Sequence, residues 1–212
     1  MCGIALLVGE HEAWPGLEQV ALSTGAHTGV YGDVRLAVGV LSLRGKVVPQ
    51  PLTHAHLPGC YFAWNGEVFE CDAAFEQELS GKDVGAVLMD QIARAAADMS
   101  GDVAAALVQT LARIEGPYAF VFLDTERRRI FYGRDHLGRR SLLRSQDNRC
   151  LVTAGTALAN AAFSFSEVDC THIWEVDTIT QQVQRHERSS RVRILLTVCA
   201  ASRAQRHARI VR

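Results

Sequence analysis

Signals for metal binding, secretion and membrane insertion are missing from this 212-residue chain. Its six cysteines form no C-x-x-C pair, and its eight histidines show no ligand spacing with them, so we predict no metal site. No charged-then-apolar leader begins the chain, and no apolar run is long enough to span a bilayer. We therefore expect a cytoplasmic protein without a membrane partner, whose thiols stay reduced.

Acidic residues are absent from Arg188–Arg212, a segment that contains seven arginines. Residues 1–187 carry 15 basic against 23 acidic side chains, a net charge of −8, whereas the whole chain has −1. This near-neutral total predicts no nucleic-acid partner. We expect 188–212 to be a disordered basic tail, with a short strand at Val192–Val198 left open. Its composition is also that of an unrelated exon or a shifted reading frame, as in a truncated isoform.

Residues 2–187 have the composition of one globular domain, since the chain is 48% hydrophobic and 21% charged. No nucleotide-binding motif is present, so we expect neither a cofactor nor an ATP-using domain in this chain. Strand-forming runs at both ends enclose helical patterns and are joined as hairpins, which predicts mainly antiparallel sheets with helices outside them. The predicted helices are Glu12–Leu22, Asp72–Leu79, Asp83–Met99 and one starting at Gly101-Asp102; the predicted strands are Cys2–Gly9, Val34–Leu43, Cys60–Trp64, Tyr118–Leu123, Ile130–Tyr132, Ser141–Leu143, Cys150–Ala154 and Ile173–Val176.

Cys2 carries a nucleophile and a base on one residue if Met1 is removed. A thiol needs a neighbouring base, and an α-amine with a pKa of roughly 7.7–8.0 can accept its proton. Taken alone, a cysteine at this position is more often a small apolar residue at the head of a strand than a nucleophile. While Met1 remains, the nitrogen is an amide and the catalyst is incomplete.

Asn65-Gly66 follows the predicted strand Cys60–Trp64 and has two interpretations. Asn-Gly most often forms a hairpin turn, because both residues tolerate positive φ. Alternatively, the Asn65 amide and the Gly66 N–H are two adjacent donors that form an oxyanion hole.

Two further positions have a structural and a functional interpretation. Asp83 stands where a helix N-cap belongs, and it is also a candidate substrate ligand. Arg134-Asp135 follows a strand, where such ion pairs are more often structural than catalytic.

A set of short motifs resembles the class II glutamine amidotransferase domains, in particular the glutaminase domain of the asparagine synthetase family. The motifs occur in the family's order over roughly Cys2–Asp177, and a coincidental match in this order and spacing is improbable. They are Cys2-Gly3-Ile4, Leu41-Ser42-Leu43, Gln50-Pro51, Trp64-Asn65-Gly66-Glu67, Gly116-Pro117-Tyr118-Ala119-Phe120 and Gly133-Arg134-Asp135-His136-Leu137-Gly138-Arg139-Arg140-Ser141-Leu142-Leu143.

The resemblance implies an α+β, N-terminal nucleophile hydrolase fold: a four-layer αββα sandwich with two mainly antiparallel sheets. It implies that Cys2 attacks the side-chain amide of glutamine and that Asn65 and Gly66 hold the oxyanion. Glu67 and Asp83 would bind the amino-acid end of the substrate. Glutamate and ammonia would form through a thioester, and the ammonia would serve asparagine synthesis.

Three departures from the family pattern bear on that expectation. An arginine that binds the glutamine carboxylate in the family aligns with Val40. Arg44 is the substitute we consider, because on a strand it would share the face of Val40, an even number of residues away. The family's Arg-Gly-Pro-Asp segment is replaced by Thr24–Gly29, within a predicted loop at Ser23–Asp33. We expect no ATP-dependent synthetase domain in residues 1–212, so a synthetase domain or subunit would act in trans. The alternative is a catalytically silent scaffold that retains the fold.

Overall fold

Two six-stranded antiparallel sheets face each other. The computed structural model describes residues 3–9, 27–39, 48–153 and 164–188 of the chain. One sheet has the order β12-β10-β11-β1-β3-β2 and the other the order β14-β13-β9-β8-β5-β4, while β6 and β7 form a separate pair. The strands are β1 (Gly3–Val8), β2 (His27–Tyr31), β3 (Val34–Gly39), β4 (Leu52–His54), β5 (Leu57–Gly66), β6 (Glu70–Cys71), β7 (Ile114–Glu115), β8 (Tyr118–Asp124), β9 (Arg129–Arg134), β10 (Leu143–Ser145), β11 (Cys150–Val152), β12 (Phe165–Glu167), β13 (His172–Asp177) and β14 (Val183–Glu187).

The central strands are apolar on both faces, because successive side chains of a strand point to opposite sides of the sheet. In β1 the side chains of Ile4 and Leu6 enter the core between the sheets, while Ala5 and Leu7 pack on the other face. In β8 every residue is buried. One set of its side chains meets the first sheet, and the other set meets the helices.

Three described helices pack against the outer face of the second sheet: α1 (Ala73–Leu79), α2 (Val84–Asp98) and α3 (Val103–Leu111). An aspartate side chain caps each N-terminus by accepting a backbone hydrogen bond, and the caps are Asp72, Asp83 and Asp102. These caps satisfy donors that have no partner within a helix. None of the described helices has the length and apolar content needed to cross a bilayer.

Six of the described strands were not predicted from the sequence: β2, β4, β6, β7, β12 and β14. Residues 27–31 of the predicted loop form β2, because the turn at Gly32, with φ of 64°, folds them back onto β3. Leu52–His54, predicted as a connection, pairs with β5. The sequence also gave no strand signal at β14, whose residues are polar and mostly exposed.

Several predicted features lie outside the described residues. They are the helix Glu12–Leu22, the first part of the predicted loop Ser23–Asp33, the Leu41-Ser42-Leu43 end of a predicted strand and the part of the tail beyond Arg188.

Candidate active site

The start of β1 and the end of β5 lie at one end of the sandwich. At the opposite end the Tyr31 and Tyr61 rings contact each other, with centroids 4.0 Å apart. Tyr31 is opposite Val34, which is opposite Val8 at the far end of β1. Strands of two packed sheets run within about 30° of each other, at roughly 3.4 Å per residue. Gly32 and Asp33 line one pocket with Thr125, whose N–H donates to the Gly59 carbonyl near the start of β5, so Val8 lies at that end. Gly3, five residues before Val8, therefore lies towards the end of β5. Cys2 precedes it, outside the described residues.

Asn65 and Gly66 do not form a turn. Both belong to β5, with Asn65 opposite Ala119 and Gly66 opposite Tyr118 of β8. The Glu67 N–H donates to the Pro117 carbonyl at 3.0 Å, and hydrogen-bonded pairs alternate along an antiparallel ladder. Gly66 and Tyr118 are therefore a pair without ladder bonds. The Gly66 N–H therefore points away from β8.

The side chain of Gln50 holds the edge of β5 just before this pair. Its amide nitrogen donates to the Trp64 carbonyl at 3.0 Å, and its amide oxygen accepts from the Trp64 N–H at 2.6 Å. Gln50 is 6% exposed, so these bonds satisfy buried backbone groups in the way that a neighbouring strand would. The Gln50-Pro51 bond is cis. Sequence reasoning noted the Gln50-Pro51 motif but assigned it no role.

Gly66 is packed against Tyr118 so closely that only glycine fits. A Cβ at position 66 would lie 2.3 Å from the Tyr118 Cβ and 2.7 Å from the Pro117 carbonyl oxygen. The Trp64 ring stacks on the Tyr118 ring at 4.7 Å, and its indole N–H donates to the Gly66 carbonyl at 3.1 Å. The position of the Gly66 backbone is therefore set by aromatic packing around Tyr118.

Asn65 and Asp83 lie on different faces of the second sheet. Trp64 packs with the helices and Ala63 with the first sheet, so Asn65 is on the face between the sheets. Asp83 caps α2, and its Oδ1 accepts from the Ala86 N–H at 2.9 Å. The first turn of α2 packs beside Trp64, since a Cβ at Gly85 would lie 3.7 Å from the Trp64 Cβ. The N-cap interpretation of Asp83 is confirmed, and one carboxylate oxygen already has a partner.

Glu67 is exposed and forms an ion pair with Arg140. Its Oε1 accepts from the Arg140 Nη2 at 3.1 Å, and its side chain is 58% exposed. Such exposed pairs contribute little to stability, so this one can open at low cost. Arg44 and Val40 lie outside the described residues.

Asp135 has the structural role that its sequence context favoured. Its Oδ2 accepts from the backbone N–H groups of Tyr118 and Arg139 at 3.1 and 3.0 Å, while its Oδ1 accepts from the Leu137 N–H and the Arg139 Nε. The Asp135 N–H in turn donates to the Tyr118 carbonyl. Burial raises the pKa of Asp135, but the bond from Arg139 and those from the backbone outweigh it and lower this pKa below its usual value. Asp135 therefore holds Tyr118, and through it the strand opposite Gly66.

No cluster of side chains suited to a metal ion occurs among the described residues.

Solved structures identify the fold. The glutamine phosphoribosylpyrophosphate amidotransferase from B. subtilis superimposes with a TM-score of 0.63 over 88% of this chain and 49% of its own length, at 16% identity. A glutamine aminotransferase class-II domain protein from Silicibacter pomeroyi gives 0.50 over 89% of this chain and 99% of its own, at 12% identity. At such identities the likeness shows the fold, which is that of the N-terminal nucleophile amidotransferases.

Residues 33–160 match the family described as the glutamine amidotransferase domain, so the chain belongs to that family. The curated relatives are asparagine synthetase domain-containing proteins. Those of mouse and yeast are 29% identical over 69% and 71% of this chain. The chain spans about a fifth of the mouse relative and a quarter of the yeast relative.

Proposed function

We propose that this domain hydrolyses the side-chain amide of glutamine with Cys2 as nucleophile and supplies the ammonia for asparagine synthesis. The observation that carries the proposal is the Asn65-Gly66 pair, held in a strand at the end of the sandwich where β1 begins. In a hairpin turn, the Asn65 amide and the Gly66 N–H would not be held by a neighbouring strand. The family match supports glutamine as the substrate.

The proposed chemistry proceeds through a thioester. The α-amine of Cys2 takes the thiol proton, and the sulfur attacks the amide carbon of glutamine. The oxyanion receives hydrogen bonds from the Asn65 side-chain amide and the Gly66 N–H, whose direction toward the strand edge supports this role. Collapse breaks the carbon–nitrogen bond and returns the proton to the leaving group, which departs as ammonia. Water then cleaves the thioester and releases glutamate.

Glu67 and Asp83 are the proposed ligands of the substrate's amino-acid end. Both are carboxylates, as an ammonium group requires. Glu67 directly follows β5, whereas Asp83 lies beside Trp64 on the sheet face opposite to Asn65. Glu67 would give up its exposed ion pair with Arg140 and bind the substrate instead. Asp83 would cap α2 with Oδ1 and bind the substrate with Oδ2. Arg44 is the proposed contact of the substrate carboxylate. A synthetase domain or subunit in trans is the proposed acceptor of the ammonia, because the curated relatives are several times longer than this chain.

A silent scaffold with the same fold is the second candidate. The observations that favour it are the existing partners of Glu67 and Asp83, together with Val40 in the place of the family's arginine. Both carboxylates would then be structural groups.

One labelling experiment separates the two candidates. The purified chain is analysed by intact and N-terminal peptide mass before and after treatment with an electrophilic glutamine analogue. Loss of Met1 and an adduct on Cys2 that excess glutamine prevents would support the glutaminase. A processed but unlabelled Cys2 would overturn it in favour of the scaffold. Cys2→Ser is the control for labelling elsewhere, and the buried Cys60 and Cys150 serve as internal unreactive thiols.

A further inference from the structure

Arg188, the last described residue, inserts its guanidinium into the second sheet beside α3. Its Nη2 donates to the Tyr118 hydroxyl, and its Nη1 donates to the carbonyls of Arg134 and Cys170, the latter at 3.2 Å. Its Cζ lies 5.5 Å from the centre of the Tyr118 ring, within the range of a cation–π contact. Three chain segments therefore meet at this one side chain.

Tyr118 is the residue through which Arg188 reaches the candidate oxyanion hole. Tyr118 is 2% exposed, and a buried hydroxyl without a partner is costly. Its ring stacks on Trp64 and its Cβ touches the space that a side chain at Gly66 would need. Asp135 fixes the backbone of Tyr118, whereas Arg188 fixes the far end of its ring.

No ladder hydrogen bond fixes Gly66 to β8 at its own position, because Gly66 and Tyr118 form a non-hydrogen-bonded pair. Ladder bonds of the neighbouring pairs Asn65–Ala119 and Glu67–Pro117 hold the two strands together, and the packing of Gly66 on Tyr118 sets the position of the backbone between those bonds. A shift of the Tyr118 ring would move the Gly66 N–H, and a misplaced donor loses much of its value to an oxyanion.

We propose that Arg188 is a positioning residue for the oxyanion hole: by holding the Tyr118 hydroxyl and ring, it sets the place of the Gly66 N–H. This inference rests on the proposed function and extends it to a residue that sequence patterns place in the basic tail. No motif marked Arg188, since it is the first of seven arginines in a segment without acids.

The test compares Arg188→Ala, Arg188→Lys and the matched control Arg185→Ala. Arg185 is an exposed arginine on the neighbouring strand β14, with its Cζ 5.8 Å from the Trp174 ring centre. For the processed enzyme we expect Arg188→Ala to lower kcat about tenfold with KM changed less than about twofold, because oxyanion contacts form in the transition state. Arg188→Lys should restore part of the rate, and Arg185→Ala should resemble wild type. In a Tyr118→Phe background, Arg188→Ala should have little further effect on kcat.

Amide hydrogen exchange of peptides covering residues 62–68 and 116–120 gives a second readout that needs no activity. We expect exchange in 62–68 to be about tenfold faster in Arg188→Ala than in Arg185→Ala, at a denaturant-free condition where both are folded by circular dichroism. Equal exchange and equal kcat in these two variants would overturn the positioning role. A wild-type enzyme that loses Met1 but releases no ammonia would instead overturn the proposed function, and exchange alone would then decide on Arg188. If Arg188→Ala does not fold, Arg188→Lys and Tyr118→Phe are compared by the same two measurements.

Discussion

Replacing Asp135 by asparagine should remove hydrogen bonds that hold the segment after β9 against Tyr118 and so destabilise the fold. The carboxylate is 1% exposed, and each of its oxygens accepts two hydrogen bonds. Asparagine has nearly the same shape as aspartate, but its amide nitrogen replaces one acceptor oxygen. Two of the four donors then face an N–H₂ group and lose their acceptor. An unpaired buried donor costs about 1–3 kcal/mol, so we expect the free energy of unfolding to fall by about 2–5 kcal/mol.

Urea unfolding of wild type, Asp135→Asn and the control Asp33→Asn measures this loss. Asp33 lies exposed in the turn between β2 and β3, so its substitution should change the free energy of unfolding by less than about 0.5 kcal/mol. An Asp135→Asn protein as stable as the Asp33 variant would refute the argument that this carboxylate fastens Tyr118.

The same variant predicts a pH dependence. The pKa of Asp135 is lower in the folded protein than its usual value, so its charge stabilises the fold above the unfolded pKa of about 3.9. This contribution is lost as the pH falls through the folded-state pKa. The stability difference between wild type and Asp135→Asn should therefore be largest near neutral pH and shrink below about pH 4. A difference that grows on acidification would contradict the assigned pKa direction.

Three further substitutions or treatments test the site and core. Gly66→Ala should destabilise the fold by about 1–3 kcal/mol and abolish glutamine hydrolysis, because its Cβ would overlap Tyr118; urea unfolding and ammonia release check this, and retention of both would contradict it. Gln50→Leu should cost about 1–3 kcal/mol in urea unfolding by leaving the Trp64 backbone groups unpaired, so an unchanged midpoint would count against the Gln50 edge contact. Burial raises the pKa of the Cys60 thiol to about 12, so peptide mass analysis after a thiol reagent at pH 8 should find Cys60 modified only on unfolding; rapid labelling of the folded protein would disprove its burial.

The sequence predicts strands and helices correctly where burial in the core requires a regular pattern of apolar residues. The runs around β1, β8 and β9 are apolar because both of their faces are covered, and the helix caps Asp72, Asp83 and Asp102 sit immediately before apolar periodicity. The exposed strands β2 and β14 left no such signal, since an edge strand forms by pairing with a neighbour rather than by burying its own side chains.

The sequence by itself determined the order of the motifs, the family, the helix cap Asp83 and the nucleophile candidate, because each depends on residue type and short spacing. Only the tertiary structure decided that Asn65-Gly66 is part of a strand rather than a hairpin turn, since the pairing partner β8 lies more than fifty residues away along the chain. It likewise decided that Gln50, Asp135 and Arg188 converge on Trp64 and Tyr118. Hydrogen bonds between distant segments leave no local pattern, so the support of the candidate oxyanion hole became visible only in the folded chain.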